Sequence, residues 1–360
     1  MANTTSISRR RFLKMAASAG TGLMIAASSP AFLSAEVLPG PWKQRPKYTL
    51  IDAHLHYLDF TQETDGFKAL LQKMDECGVS HAVIFGMPMA KQWDEDAPNQ
   101  PAYYLSNDSR TYYFSATDYM LMRDYQALSQ AEQARFFPFA GGINPNDKFA
   151  AKHLRRVLDD FPGAFCGIGE LMSRHDDLTA LTYGEPPRAN HPALLEVYDL
   201  AAEYSMPVLI HHNMAGSHMA EPIYLPEMQA ALAHNRRTNI IWAHVGISRR
   251  VEIPNLPQIA DQALAENDNL YFDISWVVYD DYINSGGARS LETWAALLEK
   301  HPDRFLIGSD KVGHWATYTG EITKYHALLD LLNENTRQKA CSGNIMNLLE
   351  QRLRIRREVM

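Results

Sequence analysis

Two histidines two residues apart, His54 and His56, close the run "TLIDAHLH" where apolar residues meet a loop. Side chains on a strand alternate between two faces, so a spacing of two turns both imidazoles the same way. Neutral imidazoles converging at a strand end can serve as ligands for zinc or a similar divalent ion. On its own H-x-H is a short pattern, more often hydrogen-bonded structure than a metal site. Other metal-binding residue types, however, end other apolar runs: Glu170 in "CGIGE", His211 in "PVLIH", His244 in "IIWAH" and Asp310 in "FLIGSD". Packing favours Val, Ile and Leu at such positions, so these endings point to a shared metal cage. A divalent ion there would lower the pKa of bound water and polarise a bond under attack. Asp310 could take the proton from that water and pass it to the leaving group.

Such a cage needs elements that bring distant strand ends together. From Tyr48 onward, short apolar runs alternate with longer segments of helical periodicity, the pattern of βα units and a parallel sheet. The strand candidates are "YTLIDAHLH", "SHAVIFGMP", "FFPFAGGIN", "FCGIGELM", "PVLIHHN", "NIIWAHVG", "NLYFDIS" and "RFLIGSD". Helix candidates such as "FKALLQKMDECG", "AAKHLRRVLDDF", "PALLEVYDLAAEYS" and "LPEMQAALAHN" lie between them. The count predicts an α/β fold, a (β/α)₈ TIM barrel over residues 48–355. A doubly wound open sheet would show a Gly-rich first turn, and "AHLHYLDF" has none. Between the second and third strands runs a long insertion rich in Tyr, Asn, Pro and Asp. Its residues 91–119 are expected to cover the barrel mouth and to give it aromatic side chains from Tyr103, Tyr104, Tyr112, Tyr113 and Phe114.

Composition excludes several classes. The 360 residues carry a formal charge of −8, with 46% hydrophobic and 21% charged residues, which fits a globular chain and opposes a nucleic-acid surface. Three scattered cysteines, Cys77, Cys166 and Cys341, make no disulfide framework and are expected to be buried thiols. The first 35 residues read separately: "SRRRFLK" precedes a short apolar stretch rich in small residues, a secretory pattern too short to span a membrane well. Arg9, Arg10, Arg11, Phe12, Leu13 and Lys14 resemble a bacterial twin-arginine signal, which implies export to the periplasm through the twin-arginine machinery.

The order of histidine pair, Glu, His, His and Asp along successive strands resembles the amidohydrolase superfamily. "LIDAHLH", "PVLIHHN", "IIWAHVG" and "LIGSD" resemble its amidohydrolase-related branch (amidohydrolase 2), and "GIGE" followed by "PVLIH" is similar to TatD-like metal hydrolases. The late "CSGNIMNLL" resembles the branch's closing helix motif. The similarity spans Leu50 to Leu349. It implies that His54, His56 and Asp310 hold one ion, while His211 and His244 hold a second or support the first. Glu170 stands where other members place a bridging carboxylate or a carbamylated lysine. Many relatives bind one ion and lack that carboxylate, so one or two ions per chain, zinc first, remain open.

Lys311, Arg174, His314 and His175 follow strand ends and are candidates to bind a substrate carboxylate or phosphate. Asp52 reads as barrel-interior hydrogen bonding, His212 as helix packing or a support behind the site residues, and Asp273 as an orienter of a ligand histidine or a loop cap. His81, His153, His234, His301 and His326 are expected to face solvent. The leading expectation is a metal-dependent hydrolase acting on a lactone, ester or amide of a small molecule. The rivals are a single-metal decarboxylase of an aromatic or unsaturated acid, a TatD-like nuclease, and a metal-binding protein without catalysis. Neither nucleic acid nor stable membrane insertion is expected, and a homo-oligomer is left open.

Overall fold

The computed structural model describes residues 46–359. The expected export signal, residues 1–35, lies outside them. Among the described residues no helix is long and apolar enough to cross a membrane.

Eight strands form one parallel sheet in sequence order: β1 (Leu50–Asp52), β2 (Val79–Ile84), β3 (Phe136–Ala140), β4 (Gly167–Met172), β5 (Val208–His211), β6 (Ile240–Trp242), β7 (Leu270–Asp273) and β8 (Phe305–Leu306). All eight expected strands are present, separated by helices, as a TIM barrel requires. The seam between β8 and β1 closes through Ala53 N–H, which donates to the Ile307 carbonyl at 2.9 Å. Beyond it, Leu55–His56 pairs in parallel with Lys311–Val312.

Period-two alternation divides the apolar residues into two cores. Val83, Phe137, Leu209, Ile241 and Leu306 belong to the interior cluster, while their neighbours Ala82, Phe136, Val208, Ile240 and Phe305 belong to the layer under the helices. The last helix, Asn344–Val359, adds Ile345, Leu348 and Leu349 to the interior cluster, so the closing motif plugs the barrel. The first helix, Gly66–Cys77, shows how the outer layer is made. Phe67, Leu70, Leu71, Met74 and Cys77 form one buried stripe, and Gly78 ends the helix with φ +83°. All three cysteines are free and buried.

The insertion after β2 makes an antiparallel pair, Met89–Lys91 with Thr111–Tyr113, and then a helix, Thr117–Gln126. Two expectations fail here. His81 is only partly exposed; it stacks on Phe137 with ring centroids 5.4 Å apart, and burial lowers its pKa to about 4. Asp52 is buried but does not face the barrel interior, which takes its neighbours Ile51 and Ala53. It staples the seam instead. Oδ1 accepts from Ser309 N–H at 2.9 Å and His54 N–H at 3.1 Å, and Oδ2 accepts from the Tyr318 hydroxyl at 2.9 Å.

Asp52→Ala strands three buried donors and should cost roughly 2–4 kcal/mol of folding free energy. Urea unfolding of the two proteins measures it, and a loss below about 1 kcal/mol would mean that the staple carries little of the closure.

Candidate metal centre

The six residues proposed from strand ends meet at the carboxyl end of the barrel, and all are buried except Asp310, whose side chain is 12% exposed. His54 Nε2 lies 3.6 Å from Glu170 Oε2 and 3.2 Å from Asp310 Oδ1. His56 Nε2 lies 3.1 Å and 3.5 Å from the same two oxygens. The opposite oxygens face the other pair. Glu170 Oε1 is 3.6 Å from His211 Nδ1 and 3.9 Å from His244 Nε2, and Asp310 Oδ2 is 3.7 Å from His244 Nε2.

Each imidazole is held from behind. His54 Nδ1 donates to Asp273 Oδ2 at 2.8 Å, His56 Nδ1 to the Gly86 carbonyl at 3.2 Å, and His244 Nδ1 to the Ser275 carbonyl at 3.2 Å. His211 is turned the other way. Its Nε2 donates to Asn213 Oδ1 at 3.0 Å, and the Asn213 amide nitrogen donates to Asp176 and Ser248. In the neutral form of each ring the nitrogen aimed inward is the one left with a lone pair, the arrangement of metal-ligating histidines. Asp273 fills both roles considered for it, since its carboxylate also accepts from Ser275 N–H at 2.9 Å and from the Ser275 hydroxyl at 2.6 Å.

The backbone departs from regular strand to make this cage. Ala53 points into the interior cluster, so strict alternation would turn His54 outward; the chain instead leaves β1 at Asp52 and re-enters a ladder only at Leu55. Glu170 is not at a strand end but within β4, where the register shifts between Ile168 and Leu171. His244 and Asp310 lie just past their strands with φ +53° and +48°. Gly308 permits the approach of β8 to the histidine pair, because a Cβ there would meet His54 N at 2.9 Å.

The charges explain the electrostatics. Burial would lower the His54 pKa, but the carboxylates of Glu170, Asp310 and Asp273 outweigh it and hold it well above its usual 6.5. Burial would raise Glu170, yet His54, His211 and His56 pull it well below the carboxylate range. Asp310 falls to about 2 for the same reason, with burial opposed chiefly by His54. His244 is pushed down to about 4 by burial, which keeps its inward nitrogen free. His54 Nε2 and Glu170 Oε1 are buried without a hydrogen-bond partner. Orphaned buried polar atoms of these types fit a divalent cation between them.

The cage opens on a chamber of about 60 Å³, walled by Phe60, Met87, Tyr104, Met172, His175 and Trp276 besides the ligand candidates. Outside lies a vestibule of about 640 Å³ that shares Phe60, Tyr103, Trp276, Asp310 and Val312 with the chamber. Tyr103 and Tyr104 come from the insertion, as expected. Tyr112 and Phe114 line a different pocket, and Tyr113 donates to the Met172 carbonyl at 3.3 Å. Arg249 ties the insertion down: it donates to the Tyr104 and Tyr103 hydroxyls at 2.8 and 3.0 Å and lies 5.1 Å from the Trp276 ring centroid.

The other candidates are farther out. Lys311 and His314 line the vestibule and not the chamber. Lys311 Nζ donates to Thr317, and His314 bridges Asp59 and Asp65. Arg174 lines neither space; its guanidinium pairs with Glu227 at 2.7 and 3.1 Å. His212 is buried, with Ser173 Oγ and the Tyr224 carbonyl on its two nitrogens, as a packing residue should be. Sequence reasoning passed over Asn213 and Trp276, although each follows its strand within three residues.

The family profile for amidohydrolases matches residues 51–350. No curated protein matches the chain. Among solved structures, an uncharacterised TIM-barrel protein from Bordetella bronchiseptica is 13% identical, with 85% of this chain and 99% of that one covered and a TM-score of 0.51. A probable 2-pyrone-4,6-dicarboxylic acid hydrolase from Acinetobacter baumannii, with citric acid bound, is 12% identical, with 84% and 100% covered and a TM-score of 0.51. A 2,6-dihydroxybenzoate decarboxylase from Rhizobium is 15% identical, with 84% and 99% covered and a TM-score of 0.48. At such identities the likeness to the first two speaks for the fold alone.

Without a cation, the protonated His54 and the two ionised carboxylates stabilise one another. The raised His54 pKa gives stability present below 6.5 and lost as pH rises through the folded value. The lowered Glu170 and Asp310 values give stability present above the ordinary carboxylate range and lost as pH falls. Chelator-stripped protein should therefore be most stable between those limits, as read by urea unfolding across pH. A flat profile at both ends would contradict this charge arrangement.

Proposed function

The chain belongs to the amidohydrolase family, and from that premise we propose that it is a metal-dependent hydrolase opening a C–O or C–N bond of a small lactone, ester or amide. The observation that carries the proposal is a set of spacings. Four ligands bound to one zinc ion at ~2.0–2.1 Å stand ~3.3 Å apart at the corners of a tetrahedron. Four donor-to-donor distances among His54, His56, Glu170 and Asp310 run from 3.1 to 3.6 Å. The second oxygens of both carboxylates face His211 and His244, so we assign a second subsite there, with Glu170 shared between the two.

A divalent ion, when bound, would acidify a water and polarise the carbonyl under attack. The chain's residues do the rest. Asp310 lines both chamber and vestibule and is the partly exposed member of the cage, which supports assigning it to accept the proton of the attacking water and return it to the leaving oxygen or nitrogen. His244 Nε2 lies 3.7 Å from Asp310 Oδ2, and the neutral ring would offer its lone pair to a cation held between them. Phe60, Tyr104 and Trp276 limit bulk water around the bond. The acidic chain gives a nuclease reading no support. Decarboxylation by a single-ion centre is the alternative, and released carbon dioxide distinguishes it. The signal-like start further leads us to propose export to the periplasm.

Glu170→Gln keeps the volume and removes the charge that offsets a second cation. The variant should hold about one ion per chain against about two in the wild type, and should lose most activity toward lactone, ester and amide panels while remaining folded. Metal analysis by mass spectrometry reads the count. One ion in both proteins would remove Glu170 as a bridge and favour the decarboxylase.

A further inference from the structure

His175 is used neither by the cage nor by the hydrogen bonds behind it, yet it is 4% exposed and walls the chamber. The loop after β4 fixes it from both sides. Its backbone N–H donates to Thr179 Oγ1 at 2.8 Å, and that hydroxyl donates back to the His175 carbonyl at 2.9 Å. On the ring, Nδ1 accepts the backbone N–H groups of Asp177 at 3.0 Å and Leu178 at 3.1 Å. A ring nitrogen that accepts carries no hydrogen, so in the neutral imidazole the hydrogen sits on Nε2. That nitrogen has no partner among the described residues. The ring lies against His211, Tyr104 and Trp276, with centroids 4.5, 5.9 and 6.1 Å away, and all three belong to the chamber. His212 offers a contrast, since both of its nitrogens are met by protein groups.

We propose that His175 is a substrate-binding residue that donates its Nε2–H to a carbonyl or carboxylate oxygen lodged in the chamber beside the cage. The proposal rests on the hydrolase reading for the identity of the reacting group. It adds a donor that a cation-loaded cage could not supply, since carboxylate oxygens only accept and the inward imidazole lone pairs would be engaged by the ion. An oxygen gaining negative charge during attack needs a donor already in place, and backbone groups hold this one without side-chain freedom. It also separates two adjacent residues that the sequence offers equally: Arg174 is spent on Glu227 outside the chamber, and His175 faces in.

The test uses the full chain loaded with zinc and benzohydroxamate as the probe, titrated by calorimetry. His175→Phe keeps the flat ring and removes the donor; His175→Gln puts an amide N–H near the Nε2 position. Zinc content and unfolding temperature are measured on all three proteins. The expected result is about tenfold weaker binding to the Phe variant, with most of the loss recovered in the Gln variant and zinc content unchanged. Equal binding by the Phe variant, or equal losses in both variants, would overturn the donor role. Loss of zinc from the Phe variant would overturn it too, because His175 would then act on the cage. Wild-type protein that holds zinc but ignores the probe would count against both an accessible centre and this donor. Tight, His175-dependent binding with no hydrolysis of any panel substrate would leave the donor standing and overturn the hydrolase reading.

Discussion

Two ionised carboxylates, one buried and one partly exposed, set among four buried imidazoles impose the constraint that the rest of the barrel mouth obeys. Glu170 is 1% exposed, and burying its charge without compensation would cost several kcal/mol. The compensation must be positive and central. A proton on His54 supplies it when no cation is present, which is why the His54 pKa rises while Glu170 and Asp310 fall. A divalent ion would do the same with more charge and with every inward lone pair engaged. The outer hydrogen bonds follow from this. Asp273, the Gly86 and Ser275 carbonyls and Asn213 each take the hydrogen from the far side of a ring, so that no imidazole spends its inward nitrogen on a neighbour.

The same constraint explains what the sequence disclosed and what it did not. All eight strands were legible, because buried parallel strands are short apolar runs bounded by helices. The cage residues were legible because His, Glu and Asp are out of place at the ends of such runs. The alternation argument, however, works for His211, which shares parity with the interior residue Leu209, and fails for His54 and His244, which follow the interior residues Ala53 and Ala243. Those two point inward because the backbone breaks step, at the gap between Asp52 and Leu55 and at the positive φ of His244. Periodicity cannot report a break that a tertiary contact imposes. The same failure put Asp52 in the barrel interior when it staples the seam.

Roles that depend on a partner far along the chain were the least legible. Arg174, His175 and His314 are all loop residues after strand ends, equal on local grounds. Distant partners set two of them apart, Glu227 for Arg174 and Asp59 with Asp65 for His314, whereas His175 is set by the Asp177 and Leu178 amides of its own loop. A short polar side chain such as Asn213 carries no signal of its own, and its importance lies in the Asp176 and Ser248 groups that turn its amide oxygen toward His211.

The two spaces at the mouth bear on what the proposed enzyme could accept. The chamber of about 60 Å³ is much the smaller of the two and adjoins the cage, so it suits the reacting group rather than a whole substrate. The body of a larger substrate would then lie in the vestibule of about 640 Å³, whose lining includes Tyr103, Trp276, Asp280, Asp281, Lys311 and His314. Arg249 holds Tyr103, Tyr104 and Trp276 together at the boundary between the two. A substrate passing inward must fit that aromatic ring of contacts or displace the arginine from it. Selectivity would therefore be set at the Arg249 contacts and bond breaking at Asp310, the cage residue that lines both spaces.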